Sequence, residues 1–159
     1  MIEAITSLSV SLMGLLGVVS LLSNSIAFNR DAGQKIVATY LAAEGIELIK
    51  NRIDTNYAQG SSWNQGLQDG TYEVSYSDPL NQIGGISAPS STTLLKLDDT
   101  TGIYSYGVGT PTLFRRTVWL QNISSGGPIN EVRVVSTVEW LNRRGNLNVN
   151  LEDHFFDWR

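Results

Sequence analysis

The sequence predicts an α+β fold: a long N-terminal α-helix whose C-terminal half packs on an antiparallel β-sheet head. Three observations predict it. Residues 4–28 form an apolar run without a charge. Helical patterning then continues past Phe28, with Val37, Leu41, Leu48 and Ile49 on one broad face. The last third holds three alternating segments joined by short turns. Alternation at period two buries one face of a sheet and leaves the other wet. That buried face needs a cover, and the apolar face of the helix is available.

The helix comes first. A bilayer-spanning helix needs about 20 mostly apolar residues, so the run 4–28 is long enough to span. It starts almost at the amino terminus with no basic residue ahead of it, and Glu3 sits at its head. Acids inside membranes are rare and mark function. A secretory signal would show a basic start, a shorter apolar core and a cleavage site, and this run has neither the basic start nor the length limit. A plain anchor explains the length but not Glu3. A coiled-coil seam would need a sustained heptad. Ser7, Ser9, Ser11, Gly14, Gly17, Ser20, Ser23 and Ser25 punctuate the run, and small residues allow helices to approach closely in an apolar medium. Gly14 and Gly17 each cost about 1 kcal/mol of helix stability relative to Ala, so local unwinding is expected somewhere in 14–25.

Beyond Phe28, Glu44, Glu47, Lys50, Asn51 and Asp54 lie largely opposite the apolar face, and Asp31/Lys35 and Lys50/Asp54 are spaced as i,i+4 pairs. The helix is expected to run to about Ile53, a length on the order of 75–80 Å at its normal rise. Half of it must protrude from a compact head. The expected division is 1–28, a membrane or filament-core helix, and 29–159, a globular head that includes the amphipathic half of the helix.

In the head, 54–69 reads as a loop of turn residues, with Trp63 anchoring it to the core. Residues 71–76 alternate as a strand, 78–93 read as a long Gly/Ser/Pro/Thr surface loop, and short strands are expected at 94–97 and 103–106. The clearest strands are 113–123, 129–141 and 146–153, an antiparallel meander. Val132, Val134, Val138 and Trp140 point one way, and Glu131, Arg133, Thr137 and Glu139 the other. Leu147, Val149 and Leu151 alternate with Asn146, Asn148 and Asn150.

The start M-I-E-A-I, the uncharged helix, the exit at Arg30-Asp31 and the later A-T-Y-L-A-A-E-G-I-E-L-I-K-N-R resemble a mature type IV pilin. Within that family they look most like the pilin-like proteins labelled pilus modification or minor pilins. The F-R-R-T-V near Phe114, the V-E-W near Val138 and the F-F-D-W tail look like that subgroup's C-terminal pattern. The resemblance implies a pilin fold, removal of a short leader by a prepilin peptidase, methylation of the new N-terminus, storage in the inner membrane and export by a pilus assembly machinery. It implies that Glu3 neutralises the amine of a neighbouring subunit, as the family's glutamate does. The family has two further residues, commonly Phe-Thr, ahead of this point. Either the sequence lacks those two, or Met1 is the mature end and the methylated residue.

Length and charge bound the rest. About 100 residues outside the helix suffice for one domain with its own core. Of 159 residues, 11 are basic and 15 acidic, a net charge of −4 that gives no footprint for nucleic acid. With no cysteine, packing and hydrogen bonds alone must hold the head. A thiol nucleophile is excluded, and the single histidine, His154, reads as a surface or packing residue. No catalytic residue, metal or cofactor is expected. Asp98-Asp99-Thr100-Thr101-Gly102 reads as a turn between strands, since it lacks the ligand spacing of a calcium loop. Arg115-Arg116 and Arg143-Arg144 read as solvated charges, with a DNA-contacting patch as the weaker alternative. Asn122-Ile123-Ser124 is an N-glycosylation sequon, so Asn122 is the candidate modified residue. Residues 87–93 could carry O-linked sugar.

The expected function is a structural subunit of a type IV pilus-like surface filament, a homo-oligomer assembled through Glu3, Met1, Ser7, Ser11, Gly14 and Gly17. The alternatives are a low-copy minor pilin or a type II secretion pseudopilin, and a membrane-tethered binding or enzymatic head. Abundance in sheared surface filaments would separate the first two. A polar pocket with a perturbed acid would favour the third.

Overall fold

A computed structural model describes residues 2–76, 93–124, 126–142 and 145–157. It has the α+β arrangement expected. Helix α1 spans Ile2–Ala58; the strands are β1 Gly70–Tyr72, β2 Lys96–Leu97, β3 Tyr104–Ser105, β4 Thr110–Pro111, β5 Phe114–Ile123, β6 Glu131–Asn142 and β7 Gly145–Phe156. The chain divides into two compact units, Met1–Ile36 and Val37–Arg159.

Helix α1 is unbroken through 14–25, against the expected unwinding. No proline interrupts it, and two glycines among residues with helical neighbours on both sides do not cost enough to open it. It also runs to Ala58, past the expected end at Ile53. Asp54 is not a stop. The stop is Gly60, at φ +67°, where its N–H bonds the Tyr57 carbonyl at 3.1 Å and Ser61 N–H bonds the Asn56 carbonyl at 3.0 Å. That is the paired closure of a glycine-capped helix end. Asn56 then holds the following loop, its amide donating to the carbonyls of Trp63 and Gln65 at 2.9 Å each. Trp63 is buried, as expected.

In the second unit, an antiparallel sheet of order β1-β5-β6-β7 carries α1 on one face. β5 and β6 pair from Phe114↔Trp140 to Ile123↔Glu131, and β6 and β7 from Glu131↔Phe156 to Asn142↔Gly145. Val132, Val134, Val138 and Trp140 are all buried, as the alternation requires. The expected strand at 71–76 is shorter, since pairing with β5 covers only Gly70–Tyr72. A second sheet, β3-β2-β4, is built of two-residue strands, and the β2–β3 hairpin turns at Asp98–Thr101. Asp98 closes that turn by accepting hydrogen bonds from Thr100 N–H and the Thr101 hydroxyl, both 2.8 Å. Those bonds hold its carboxyl below the usual range. Most of the expected loop 78–93 lies outside the described residues.

The helix face that meets the sheet is Ala38, Leu41, Ala42, Gly45, Ile49, Ile53 and Asn56. Val37 and Leu48 flank it, partly buried. Two apolar clusters result. One gathers Ile49, Ile53, Trp63, Leu67, Val74, Val118, Leu120, Val132 and Val134. The other gathers Ala38, Leu41, Ala42, Leu95, Phe114, Val138 and Trp140. Arg116, Gly45 and Ser136 stand between them.

Arg116 corrects the sequence reading: it is fully buried and is no solvated charge. Its guanidinium donates to the Leu41 carbonyl of α1 at 2.9 Å and to the Val74 carbonyl at 2.6 Å, and lies 3.1 Å from the Glu44 carboxylate. Glu44 accordingly turns partly inward and does not sit with the solvent-facing charges. Buried cations are kept where they are paired and hydrogen-bonded. Gly45 makes the approach feasible. A Cβ there would collide with Ser136 Oγ and lie 3.2 Å from both Arg116 Cδ and Val118 Cγ2. Residues 143–144, the other arginine pair, lie outside the described residues. On the wet face of α1, Lys50 lies 3.7 Å from Glu47, one turn before it.

Candidate functional site

The first unit is a helix whose apolar side chains are left exposed among the described residues. Every described residue from Ile2 to Arg30 is exposed, and residues 4–29 carry no charge. Its large apolar side chains, from Ile2 to Phe28, are each 51% to 79% exposed. Apolar surface on this scale marks an interaction with a protein or a membrane. Among the described residues this helix is long and apolar enough to cross a membrane.

Within the run, Glu3, Ser7, Ser11 and Gly14 follow one another at four, four and three residues, and Gly17 lies three further on, so they share one side of the helix. Glu3 stands in the first turn, where an acid complements the helix dipole. A Cβ on Gly14 or Gly17 would meet nothing within 4 Å. No contact among the described residues therefore requires glycine at either position, although each costs helix stability. Two hydroxyls bond back to their own helix: Thr6 donates to the Glu3 carbonyl at 2.9 Å and Ser9 to the Ile5 carbonyl at 2.8 Å. Met1 lies outside the described residues.

On the head, Asn122 is embedded in hydrogen bonds. Its side-chain amide donates to the Leu67 carbonyl at 2.8 Å and to Asp69 Oδ1 at 2.7 Å, and its N–H also donates to Asp69 at 2.7 Å. The sequon amide thus pins the loop before β1 to the end of β5. A sugar on that nitrogen would displace one of these bonds.

The wet face of the sheet carries a cluster that the sequence reading left unconnected. Arg133 on β6 donates to Glu152 on β7 at 2.6 Å, and its guanidinium lies 5.6 Å from the ring centre of Trp119 on β5. His154 places Nδ1 2.5 Å from Glu131 and Nε2 3.1 Å from Glu152. A carboxylate at each ring nitrogen favours the charged imidazole, so its pKa is raised, first by Glu131 and then by Glu152. Glu152 is lowered, first by the Arg133 hydrogen bond and then by His154. The signal for this cluster was the register: Arg133 stands opposite His154, and Val135 between Trp119 and Glu152. Its charges answer one another across strands, as cross-strand pairs do. The arrangement links β5, β6 and β7 across the wet face of the sheet.

Comparison of the chain with protein-family models, with curated proteins and with solved structures gave no match.

Proposed function

We propose that the chain is a structural subunit of a type IV pilus-like extracellular filament. It is held in the membrane by its N-terminal helix and then polymerises by packing that helix against copies of itself. One observation carries the reading: the part of α1 that is exposed from Ile2 to Arg30, without a charge over residues 4–29, bears Glu3, Ser7, Ser11, Gly14 and Gly17 along one side, with open space at both glycines. In lipid alone, Leu at those positions would serve at least as well. Between helices in an apolar medium the hydrophobic effect gives no attraction, and close packing through small residues does. Glu3 adds register, because a charged group at each helix head finds an amine only when subunits stagger in the right order. The resemblance to type IV pilins points the same way and brings in a prepilin peptidase and an assembly machinery.

The test replaces Ser7 and Ser11 together by Leu. The substitution raises the helix's hydrophobicity and preserves membrane insertion, and it overpacks a helix core. Membrane fractions should hold normal amounts of the protein while electron microscopy finds few or no surface filaments. Glu3→Ala should likewise lower filament number without loss of the membrane-held protein. Wild-type filament density in both variants would leave the helix a mere tether, and the head would then be a membrane-anchored binding domain.

A further inference from the structure

β7 is an edge of the four-stranded sheet. Its twelve residues all pair with β6, and among the described residues no strand pairs with its other side. Which of its backbone groups face outward follows from one bond. Asp157 N–H donates to the Asn130 carbonyl at 3.0 Å, one step beyond the pair Glu131↔Phe156. Bonded and non-bonded pairs alternate along an antiparallel ladder. The odd-numbered residues of β7 therefore bond back to β6, and the even-numbered ones turn N–H and C=O to the open side. His154 fits this alternation, because its N–H donates to the Asp153 carboxylate at 2.8 Å. Natural edge strands are guarded by Pro, Lys, bulges or short length. β7 is long, unbulged in its register and free of Pro and Lys, and from Asn146 to Leu151 it carries no charge.

We propose that this edge is an interface between two copies of the chain, β7 pairing antiparallel with β7 about a two-fold axis at Val149. The strand is self-complementary in that register. Val149 meets Val149 of the second copy, Leu147 meets Leu151, and Asn148 meets Asn150. Glu152 falls opposite Asn146 and Asp153 opposite Gly145, so no acid meets an acid. Moving the axis to Asn150 sets Leu147 against Asp153, and moving it to Asn148 sets Leu151 against Gly145. Leu147 is 36% exposed, and Val149 and Leu151 are half-buried beside it. A second strand would cover all three while its main chain satisfies the outward groups, the mode by which extended segments add to sheet edges. Such a contact is closed, so it joins copies in pairs and does not propagate a filament. It stands apart from the filament reading.

The chain has no cysteine, so single cysteines report contacts cleanly. The full chain is taken in detergent micelles and oxidised mildly. The axis pair is non-bonded, with Cα atoms about 4.5 Å apart, within disulfide reach. Val149→Cys should cross-link to itself on the order of tenfold more than Asn146→Cys, Asn148→Cys or Asn150→Cys alone. Mixing the Asn148→Cys and Asn150→Cys chains, whose changes lie on the wet face and spare the core, should give a mixed dimer. Adding Asn148→Pro to the Val149→Cys chain, and to the Asn150→Cys chain of the mixture, removes an outward N–H and no bond to β6, so it should abolish both cross-links and leave thermal unfolding in place. Equal cross-linking at every position, or none at Val149 and none in the mixture, would overturn the proposal, whether or not filaments form.

Discussion

Arg116 lies in phase with Phe114 and Val118 on β5, and that phase, more than its charge, decides its place. In F-R-R-T-V an alternating strand must send one arginine in and one out. Reading the doublet as solvated ignored the period that correctly assigned Val132 to Trp140. Once inside, the guanidinium depends on Glu44, whose side chain is 34% exposed. Glu44→Gln leaves a buried cation with two carbonyls and no counter-charge, which should destabilise the head by about 3 kcal/mol, the low end for breaking such a pair. Chemical denaturation of the variant checks this. The exposed cluster at His154 behaves differently. A histidine with a raised folded pKa adds stability that is complete below its unfolded value, about 6.5, and lost as pH rises through the folded one. Glu152, with a lowered pKa, adds stability above its unfolded value, about 4.3, lost as pH falls through the folded one. The two windows overlap between about pH 4.3 and 6.5. The melting temperature of His154→Gln should therefore fall furthest below wild type near pH 5.5, and the gap should narrow as pH rises through the folded-state value. A gap that keeps growing above about pH 6.5 would contradict the ion pairs.

Between elements, the helix–sheet contact turns on Gly45. Gly45→Ala gains about 1 kcal/mol of helix propensity, yet its Cβ collides with Ser136 Oγ, and overpacking costs typically about 1–3 kcal/mol. Ser136 Oγ is buried and has no hydrogen-bond partner among the described residues, so Ser136→Ala should be neutral or stabilising. Combined, the two changes should recover most of what Gly45→Ala loses, a coupling of about 1 kcal/mol in a double-mutant cycle. Strict additivity would mean that the helix stands off the sheet at this point. The same contact shows what was legible beforehand. β5, β6 and β7 announce themselves because each is ten residues or longer and alternates over much of its length. β2, β3 and β4 are two residues each, too short for any period, and β4 was not foreseen. The helix face was only half legible: Leu41 and Ile49 stand out, while Ala38, Ala42 and Gly45 are buried for their small size, which hydrophobic patterning does not register. That Glu3, Ser7, Ser11, Gly14 and Gly17 share one side follows from their spacing on an unbroken helix. The cluster at His154 was not, since it needs the register of three strands at once.

At the scale of the molecule, the two units make different demands on one helix. Up to Arg30 every described residue is exposed, whereas residues 38–56 supply the lid of the head. A chain cut to residues 29–159 keeps Ala38, Leu41, Ala42, Gly45, Ile49, Ile53 and Asn56 and should unfold cooperatively in buffer without detergent. A chain cut to 54–159 loses all of that face except Asn56. Leu41, Ile49 and Ile53 alone, at about 1.5–3 kcal/mol each for full burial, contribute roughly 5–9 kcal/mol. A domain of this size has only about 5–15 kcal/mol in total. The loss also bares Val118, Val132, Val134 and Val138, now buried completely, and strips the Leu41 carbonyl and Glu44 from Arg116. The shorter chain should therefore show no cooperative melt and should bind a hydrophobic dye, while the longer one melts sharply and does not. If 54–159 melts like 29–159, the helix is an appendage of the head and the sheet's core must close on itself, which the burial of Ala38 through Ile53 against it does not allow.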